Sequence, residues 1–461
     1  MKKLLFKAMS VVMVMSFLLS FMVGCSSNST QEESTTTQEE STTTQEETSN
    51  DSTVPETSKV AAKVGLGLSE NADTKAAVED CLAAVSKDVS NPQFIVTFMD
   101  AKYDLATISS AINSKFSSAK VFGSTSINEI ISSKGITKGM GIMAIEDPDL
   151  KVGTGIQDFK GDLSEANVAK VAKTAIDAAV KDAGVTATEK PKMIYLSAVC
   201  GTEEYVIKSL TDVYGKDVPI TGGSPGHSGD NWGVWGVIGN STISKDGLVI
   251  TCIYGGEKAG TSFKAGFAVD ETKKGTVTKM TSPRLLAEID GKPAGDVMNT
   301  WAEGGLTEFI KNGKTTIENQ FQLLARKFDV NGRNETSTTA FTKIDPKTKE
   351  VEIWTNLNVG DTIYYITAKK DILLNRVEPL VKESVLNGKM KMSDTNYGVM
   401  ILCGGARGFI GGDLNKVTEA TNSAFGGKPW IGAVSNSEQG YIEGYGTFQG
   451  NYMNSFTVFG K

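Results

Sequence analysis

Phe94-Ile-Val-Thr-Phe98 is followed by a helix-patterned stretch, Leu105 to Phe116, and then by Lys120-Val-Phe122 running into Gly123-Ser-Thr-Ser126. The same order recurs downstream. Met193-Ile-Tyr-Leu-Ser197 precedes a helical stretch from Glu203 to Val213, and Val218-Pro-Ile-Thr221 runs into Gly222-Gly-Ser224. The offset from Ile95 to Gly123 equals that from Ile194 to Gly222. After each Gly/Ser turn comes a polar excursion and another apolar strand, Gly141-Ile-Met-Ala-Ile145 or Leu248-Val-Ile-Thr-Cys252. A third copy closes the chain with Gly398-Val-Met-Ile-Leu402, a helix from Asp413 to Ala424, Trp430-Ile-Gly-Ala-Val434 and Phe456-Thr-Val-Phe459. Continuous apolar strands predict burial on both faces. The fold class is therefore α/β, with repeated β-α-β-turn-β units forming mixed sheets flanked by helices.

Between the second and third copies the pattern changes. Glu288-Ile-Asp-Gly-Lys-Pro-Ala294 reads as a strand or turn leading into a short helix. Residues 321–370 read as antiparallel strands, with turn chemistry at Asn331-Gly332, Asp345-Pro346 and Gly360-Asp361. This β-rich insertion places a domain boundary near residue 270, giving domains 59–270 and 271–461.

The first 58 residues read differently from the rest. Lys2, Lys3 and Lys7 form a positive segment ahead of an apolar run from Ala8 to Val23, the pattern of a secretory signal. It ends in Met22-Val23-Gly24-Cys25, a small residue before a cysteine, as a lipoprotein signal requires. Cys25 is thus the expected lipidation site, with acyl chains such as palmitate contributing roughly 0.8 kcal/mol per buried CH₂. Residues 26–58 carry QEESTTT at 31–37 and again at 38–44, with no apolar position in the repeat to form a helical seam. They read as a solvated tether with a reach of roughly 30 Å. The expected address is the cell membrane, lipid-anchored on its extracytoplasmic face.

Charge excludes one class of partner. The tether holds eight acids and no base, and the signal holds three lysines, so only −2 of the formal −7 belongs to the chain after residue 58. That part has no basic footprint for nucleic acid. Beyond Cys25 stand Cys81, Cys200, Cys252 and Cys403, scattered among apolar neighbours as buried thiols would be, with no Cys-x-x-Cys pair. His227 is the sole histidine, which excludes a His-based zinc site. No metal or cofactor is expected.

Several motifs fail on inspection. Gly222-Gly-Ser224-Pro-Gly226 fits G-x-S-x-G, but the nucleophile elbow uses the N–H of the following residue, and Pro225 has none. Gly313-Lys314-Thr315 lacks the earlier glycine of a phosphate loop, since position 308 is Glu308. Gly65-Leu-Gly67 lacks the third glycine of a dinucleotide fingerprint, where Glu70 stands.

What remains is a set of small-residue turns at strand ends, 123–126, 222–226 and 403–408. Crevices at strand ends bind ligands in α/β proteins, and glycine lets a ligand approach backbone N–H groups. Ser124, Thr125, Ser126 and Ser224 add hydroxyls beside Gly222 and Gly223. Cys403 and Gly404 lead into Arg407, whose guanidinium suits a carboxylate, and Glu438 suits an ammonium group. Against this stands the plainer reading that such turns only reverse the chain and that Arg407 pairs with Glu438. Trp232-Gly-Val-Trp235 reads as packing rather than a sugar platform.

At these residues the chain resembles the FIST family, sensory modules with N-terminal and C-terminal halves. Val64-Gly-Leu-Gly-Leu-Ser69 is similar to its opening strand. Gly123-Ser-Thr-Ser-Ile-Asn-Glu129 resembles its turn segment, with Asn128 where glycine is usual, and Gly222-Gly-Ser-Pro-Gly226 is similar to its Gly-Gly-Ser-Ala-Gly stretch. Asp290-Gly-Lys-Pro-Ala294, Leu402-Cys-Gly-Gly-Ala-Arg407 and Ser437-Glu438-Gln-Gly440 resemble segments of the second half. The resemblance implies a non-enzymatic sensor of amino acids or similar small molecules, with a membrane signalling or transport partner. Among its ligand-binding residues would be Glu129. Two other readings are a transport-associated solute-binding lipoprotein and a cell-surface enzyme acting on wall material.

Overall fold

The computed structural model describes residues 61–229, 231–312, 322–330 and 332–461. The signal segment, Cys25, the tether, Gly313-Lys314-Thr315 and Asn331 lie outside the described residues. Ala61–Lys461 is one compact unit.

The first repeat runs β1 (Lys63–Ser69), α1 (Thr74–Val85), β2 (Phe94–Asp100), α2 (Leu105–Lys115), β3 (Lys120–Ser126), β4 (Ile130–Ser132), β5 (Gly135–Thr137) and β6 (Met140–Glu146). The second runs β7 (Leu150–Asp158), α3 (Glu165–Ala183), β8 (Met193–Ala198), α4 (Glu203–Tyr214), β9 (Ile220–Gly223), β10 (Val237–Gly239), β11 (Thr242–Ser244) and β12 (Gly247–Gly255). The third opens with β13 (Lys258–Lys264) and then admits an insertion. Its elements are β14 (Lys274–Ser282), β15 (Leu285–Ile289), β16 (Lys292–Pro293), α5 (Ala294–Trp301), α6 (Thr307–Asn312), β17 (Gln322–Val330), β18 (Arg333–Ile344), β19 (Val351–Ile353), β20 (Thr362–Thr367) and α7 (Lys370–Asn375). The repeat resumes with α8 (Val377–Asn387), β21 (Thr395–Cys403), α9 (Gly404–Ile410), α10 (Leu414–Phe425), β22 (Trp430–Ser435), β23 (Glu438–Ile442), β24 (Gly446–Gly450) and β25 (Asn454–Gly460).

The three β-α-β-turn-β units read from sequence are all present, each preceded by one further strand and helix. In each unit the second and third strands pair in parallel, and the last strand lies antiparallel between the first and the second. The polar excursion after each turn is a short hairpin that leaves its own sheet. β4–β5 adds to β22, β10–β11 to β3, and β23–β24 to β9. The exchange is cyclic, so each six-stranded sheet is completed by another unit. The insertion forms a seven-stranded antiparallel sheet.

Period-two alternation places the layers. Phe94, Val96, Phe98, Tyr195, Val399 and Ile401 point into one apolar cluster shared by all three sheets. Their neighbours Ile95, Ile194, Leu196 and Met400 face the helices outside. Helices α1 and α2 start on side-chain caps: Asp73 accepts from Ala76 N–H, and Asp104 from Thr107 N–H. They lie close on the sheets because the first strand of each unit carries glycine at the crossing. A Cβ on Gly67 would stand 2.2 Å from the Cys81 carbonyl oxygen, and one on Gly155 would stand 1.9 Å from that of Ala175. Val64-Gly-Leu-Gly67 and Val152-Gly-Thr-Gly155 are thus the same structural motif.

The four cysteines after residue 60 are free thiols, three of them buried. Among the described residues, no helix is long and apolar enough to cross a membrane. One local expectation is corrected: 404–408 is not a turn. Gly404–Ile410 is helix α9, because the glycines can follow Cys403 directly into helical geometry with Ala406 and Ile410 buried beneath.

Candidate functional site

The corners 123–126 and 222–226 meet each other and a third corner at the end of β22, 434–437, rather than 403–408. The backbone N–H of Gly226 donates to the Thr125 carbonyl at 2.7 Å, and Thr125 Oγ1 donates to the Gly226 carbonyl at 2.7 Å. Ser224 N–H donates to the Ser437 carbonyl at 2.8 Å, and Asn436 N–H to the Ser224 carbonyl at 3.2 Å. Ile127 N–H donates to the Val434 carbonyl at 2.8 Å, while Val434 N–H donates to Ser126 Oγ at 2.8 Å. Each corner is therefore bonded to both others. Small residues line the meeting point on the corner side, Ser124, Thr125, Gly223, Ser224, Ala433 and Ser435, and the larger Phe98, Phe122 and Ile401 line it from the apolar cluster. The space they leave is about 200 Å³, most of it too narrow for a water molecule.

The expected site residues divide among three settings. Ser124, Thr125, Gly223 and Ser224 line the meeting point, with Ser126 and Gly222 just behind it. Ser124 Oγ lies 2.8 Å from Ser197 Oγ, which donates to the Gly223 carbonyl. Gly222 is required by close approach, since a Cβ there would stand 1.7 Å from the Leu196 carbonyl oxygen.

Glu129 and Arg407 form a second setting. They bind each other in a bidentate pair, Nε to Oε2 at 2.6 Å and Nη2 to Oε1 at 2.7 Å. Arg407 therefore does not pair with Glu438, because β4 carries Glu129 from the first unit into reach of α9 first.

The third setting is buried. Glu438 is fully enclosed and accepts from Ser435 Oγ at 3.0 Å and from Met453 N–H at 3.3 Å. Among the described residues, no ion pair reaches it, and burial pushes its carboxyl up to about 8. Cys403 beside it accepts from Tyr452 N–H at 3.1 Å, and burial pushes its thiol well up. Arg376 fills the same region, donating to the carbonyls of Ala265 and Tyr452 and to Asn454 Oδ1, and burial pulls it down to about 10. Gly404 follows Cys403 at the start of α9.

A charged seam that no sequence motif marked adjoins the corner. Ser224 Oγ donates to Glu203 Oε1 at 2.7 Å, and Gly201 N–H donates to Glu203 Oε2 at 2.7 Å. Arg284, from the turn between β14 and β15, contacts Glu203 at 3.2 Å and Glu204 at 2.5 Å. The same Nη2 donates to Gln449 Oε1, whose amide donates in turn to Ser437 Oγ at 2.6 Å and to the Trp354 carbonyl. Beside it, Trp232 meets Trp235, Trp354 and His227 edge-on, with ring centroids 5.3, 5.4 and 5.0 Å away. Trp232 and Trp235 do pack, as read from sequence, yet Trp232 remains 43% exposed. The available signal was the acid pair in Cys200-Gly-Thr-Glu-Glu204 at a strand end. Arg284 comes from the insertion, and nothing local announces it.

No curated protein matches the chain. Two solved structures resemble it over 87% of this chain and 99% of theirs. One is a crystal structure of cyanuric acid hydrolase from A. caulinodans, 7% identical with a TM-score of 0.35. The other is described as cyanuric acid hydrolase, an evolutionary innovation by structural concatenation, 8% identical with a TM-score of 0.34. Residues 93–292, which run from β2 through the first two corners to β16, match the FIST N domain.

Proposed function

We propose that the protein is a small-ligand sensor held on the extracytoplasmic face of the cell membrane through lipidated Cys25. Amino acids or similar metabolites would be its ligands, and a membrane signalling or transport partner would receive the signal. The FIST N match supports the sensory reading. The observation that carries it is the ring of three mutually bonded corners, where polar groups from all three units converge beside a partly open charged seam. The enclosed space lies below the roughly 300–1,000 Å³ of ordinary ligand pockets. The ligand therefore sits on the open side of the corner, where Arg284 and Glu204 retain 25% and 20% side-chain exposure.

A melting-temperature screen against amino acids and related metabolites tests this. A ligand binding only the folded state stabilises it by about 2.7 kcal/mol at a hundred times its Kd. At least one compound should raise the melting temperature in a saturable way; a flat screen removes the reading. The anchor is tested separately by mass spectrometry of the mature chain, which should begin at Cys25 and carry acyl mass.

A further inference from the structure

Tyr452, between β24 and β25, has φ +57°, a left-handed conformation that is strained for a bulky residue. A residue stays in such a conformation only where its surroundings over-determine it. Three buried side chains do so here. Cys403 Sγ accepts the Tyr452 N–H at 3.1 Å, Arg376 Nη1 donates to the Tyr452 carbonyl, and Glu438 Oε2 accepts the Met453 N–H at 3.3 Å. Arg376 and Glu438 thus hold the two ends of one peptide group, that between Tyr452 and Met453. They hold it as a cation and a neutral acid. Among the described residues no carboxylate ion-pairs with Arg376, its Nε is buried with no hydrogen-bond partner, and burial keeps the proton on Glu438 up to about pH 8. The titratable or charged groups that face Glu438 are Cys403 at the end of β21, Arg376 ahead of α8 and Tyr452 itself.

The neighbouring residue carries this clamp to the insertion. Asn451 N–H donates to the Thr338 carbonyl at 2.9 Å, Ala340 N–H donates to Asn451 Oδ1 at 3.1 Å, and Thr338 Oγ1 donates to the Asn451 carbonyl. On its other side Asn451 Nδ2 reaches Ser437 Oγ, in the third corner, at 3.5 Å. One strained turn therefore joins the corner to β18, and a single buried proton sits against it.

We propose that the turn 451–453 is a proton-controlled latch between the central corner and the insertion. With Glu438 protonated the latch is closed. When the carboxyl gives its proton to solvent, the buried guanidinium gains a carboxylate to pair with and turns its Nε to it. Arg376 then leaves the Tyr452 carbonyl, Tyr452 relaxes to negative φ, and Asn451 lets go of β18. The latch stands whether or not the corner takes a ligand.

Hydrogen–deuterium exchange of the whole protein from pH 6 to 9.5, corrected for the intrinsic dependence of exchange on pH, tests this. Peptides covering 333–344 and 446–454 report the latch, and a peptide covering 165–183 in α3 is the internal reference. In the parent, protection of both latch segments should fall at least tenfold relative to α3 between pH 7 and 9. Glu438→Gln, which cannot ionise, should keep that protection throughout. Thr338→Val removes the Oγ1 bond and leaves Glu438 and Arg376 in place, so it should exchange severalfold faster at pH 7 and release with the parent's midpoint. Should Glu438→Gln melt early, the parent and Thr338→Val decide the matter. Constant protection in the parent, a fall that α3 shares, release that persists in Glu438→Gln, or a shifted midpoint in Thr338→Val would each overturn the proposal.

Discussion

Glu203 and Glu438 each stand behind a serine that lines the same central corner, Ser224 in one case and Ser435 in the other, yet they are held in opposite ways. Glu203 meets Arg284 from the insertion and the Gly201 N–H, and its seam reaches solvent. Glu438 is fully enclosed, and among the described residues no cation lies within ion-pair distance. Glu203 opens helix α4 and Glu438 opens strand β23, so the two acids hold different places in their units. The one that Arg284 of the insertion reaches is part of a charged seam, and the one enclosed without an ion pair holds its proton.

Breaking the charged side should have the largest effect. Glu203→Ala leaves Arg284, Ser224 and the Gly201 N–H short of a partner, and removing one member of a buried pair costs about 3–5 kcal/mol. Denaturant unfolding should show this loss, with a markedly smaller one for Glu203→Gln.

The enclosed side should show itself through pH. The Glu438 carboxyl is raised from 4.5 to about 8 in the folded protein, so between those values the folded state binds more protons than the unfolded one. Stability from this group is complete below about pH 4.5 and is lost as pH rises towards 8. Cys403 and Tyr452 are pushed further up and Arg376 stays near 10, so they keep their protons through this window. Each factor of ten in proton affinity corresponds to about 1.4 kcal/mol, making the total on the order of a few kcal/mol. Glu438→Gln should therefore unfold like the parent near pH 5 and be the more stable of the two at pH 8.5. Parallel curves across that range would mean that Glu438 is ionised, and the contrast with Glu203 would vanish.

Smaller effects should mark the clamp between the first and third units. Arg407→Lys keeps the charge but loses the two parallel bonds to Glu129. With Arg407 28% exposed, a cost of about 1 kcal/mol is expected by denaturant unfolding. Smallest of all, Trp232→Ala should change stability by roughly 0.5 kcal/mol or less, as exposed positions do. A larger loss would show that the indole cluster holds the insertion in place.

Much of the site was legible for a local reason. Two corners announce themselves as Gly123-Ser-Thr-Ser126 and Gly222-Gly-Ser224, where close approach excludes a larger side chain at Gly123 and Gly222, whereas the third lies at 434–437 and not at the expected 403–408. Arg407 is visible as a guanidinium near a strand end, for which the sequence offers a ligand carboxylate or Glu438, and neither is the partner it has, Glu129. Glu129 arrives on β4, which joins another unit's sheet, and no spacing along the chain encodes that exchange. The glycine pairs of β1 and β7 were also in plain view. Their meaning emerges only when α1 and α3 lie across them.

By itself, the sequence determined the α/β class, the three repeats, the β-rich insertion and two of the three corners, since each follows from periodicity and side-chain size within a few residues. Tertiary structure alone decided the cyclic exchange of hairpins, the closing of the corners on one another, and the ionic company each glutamate keeps. Those depend on which distant segments become neighbours, and a carboxylate's charge is set by what surrounds it in space rather than by what precedes it in the chain.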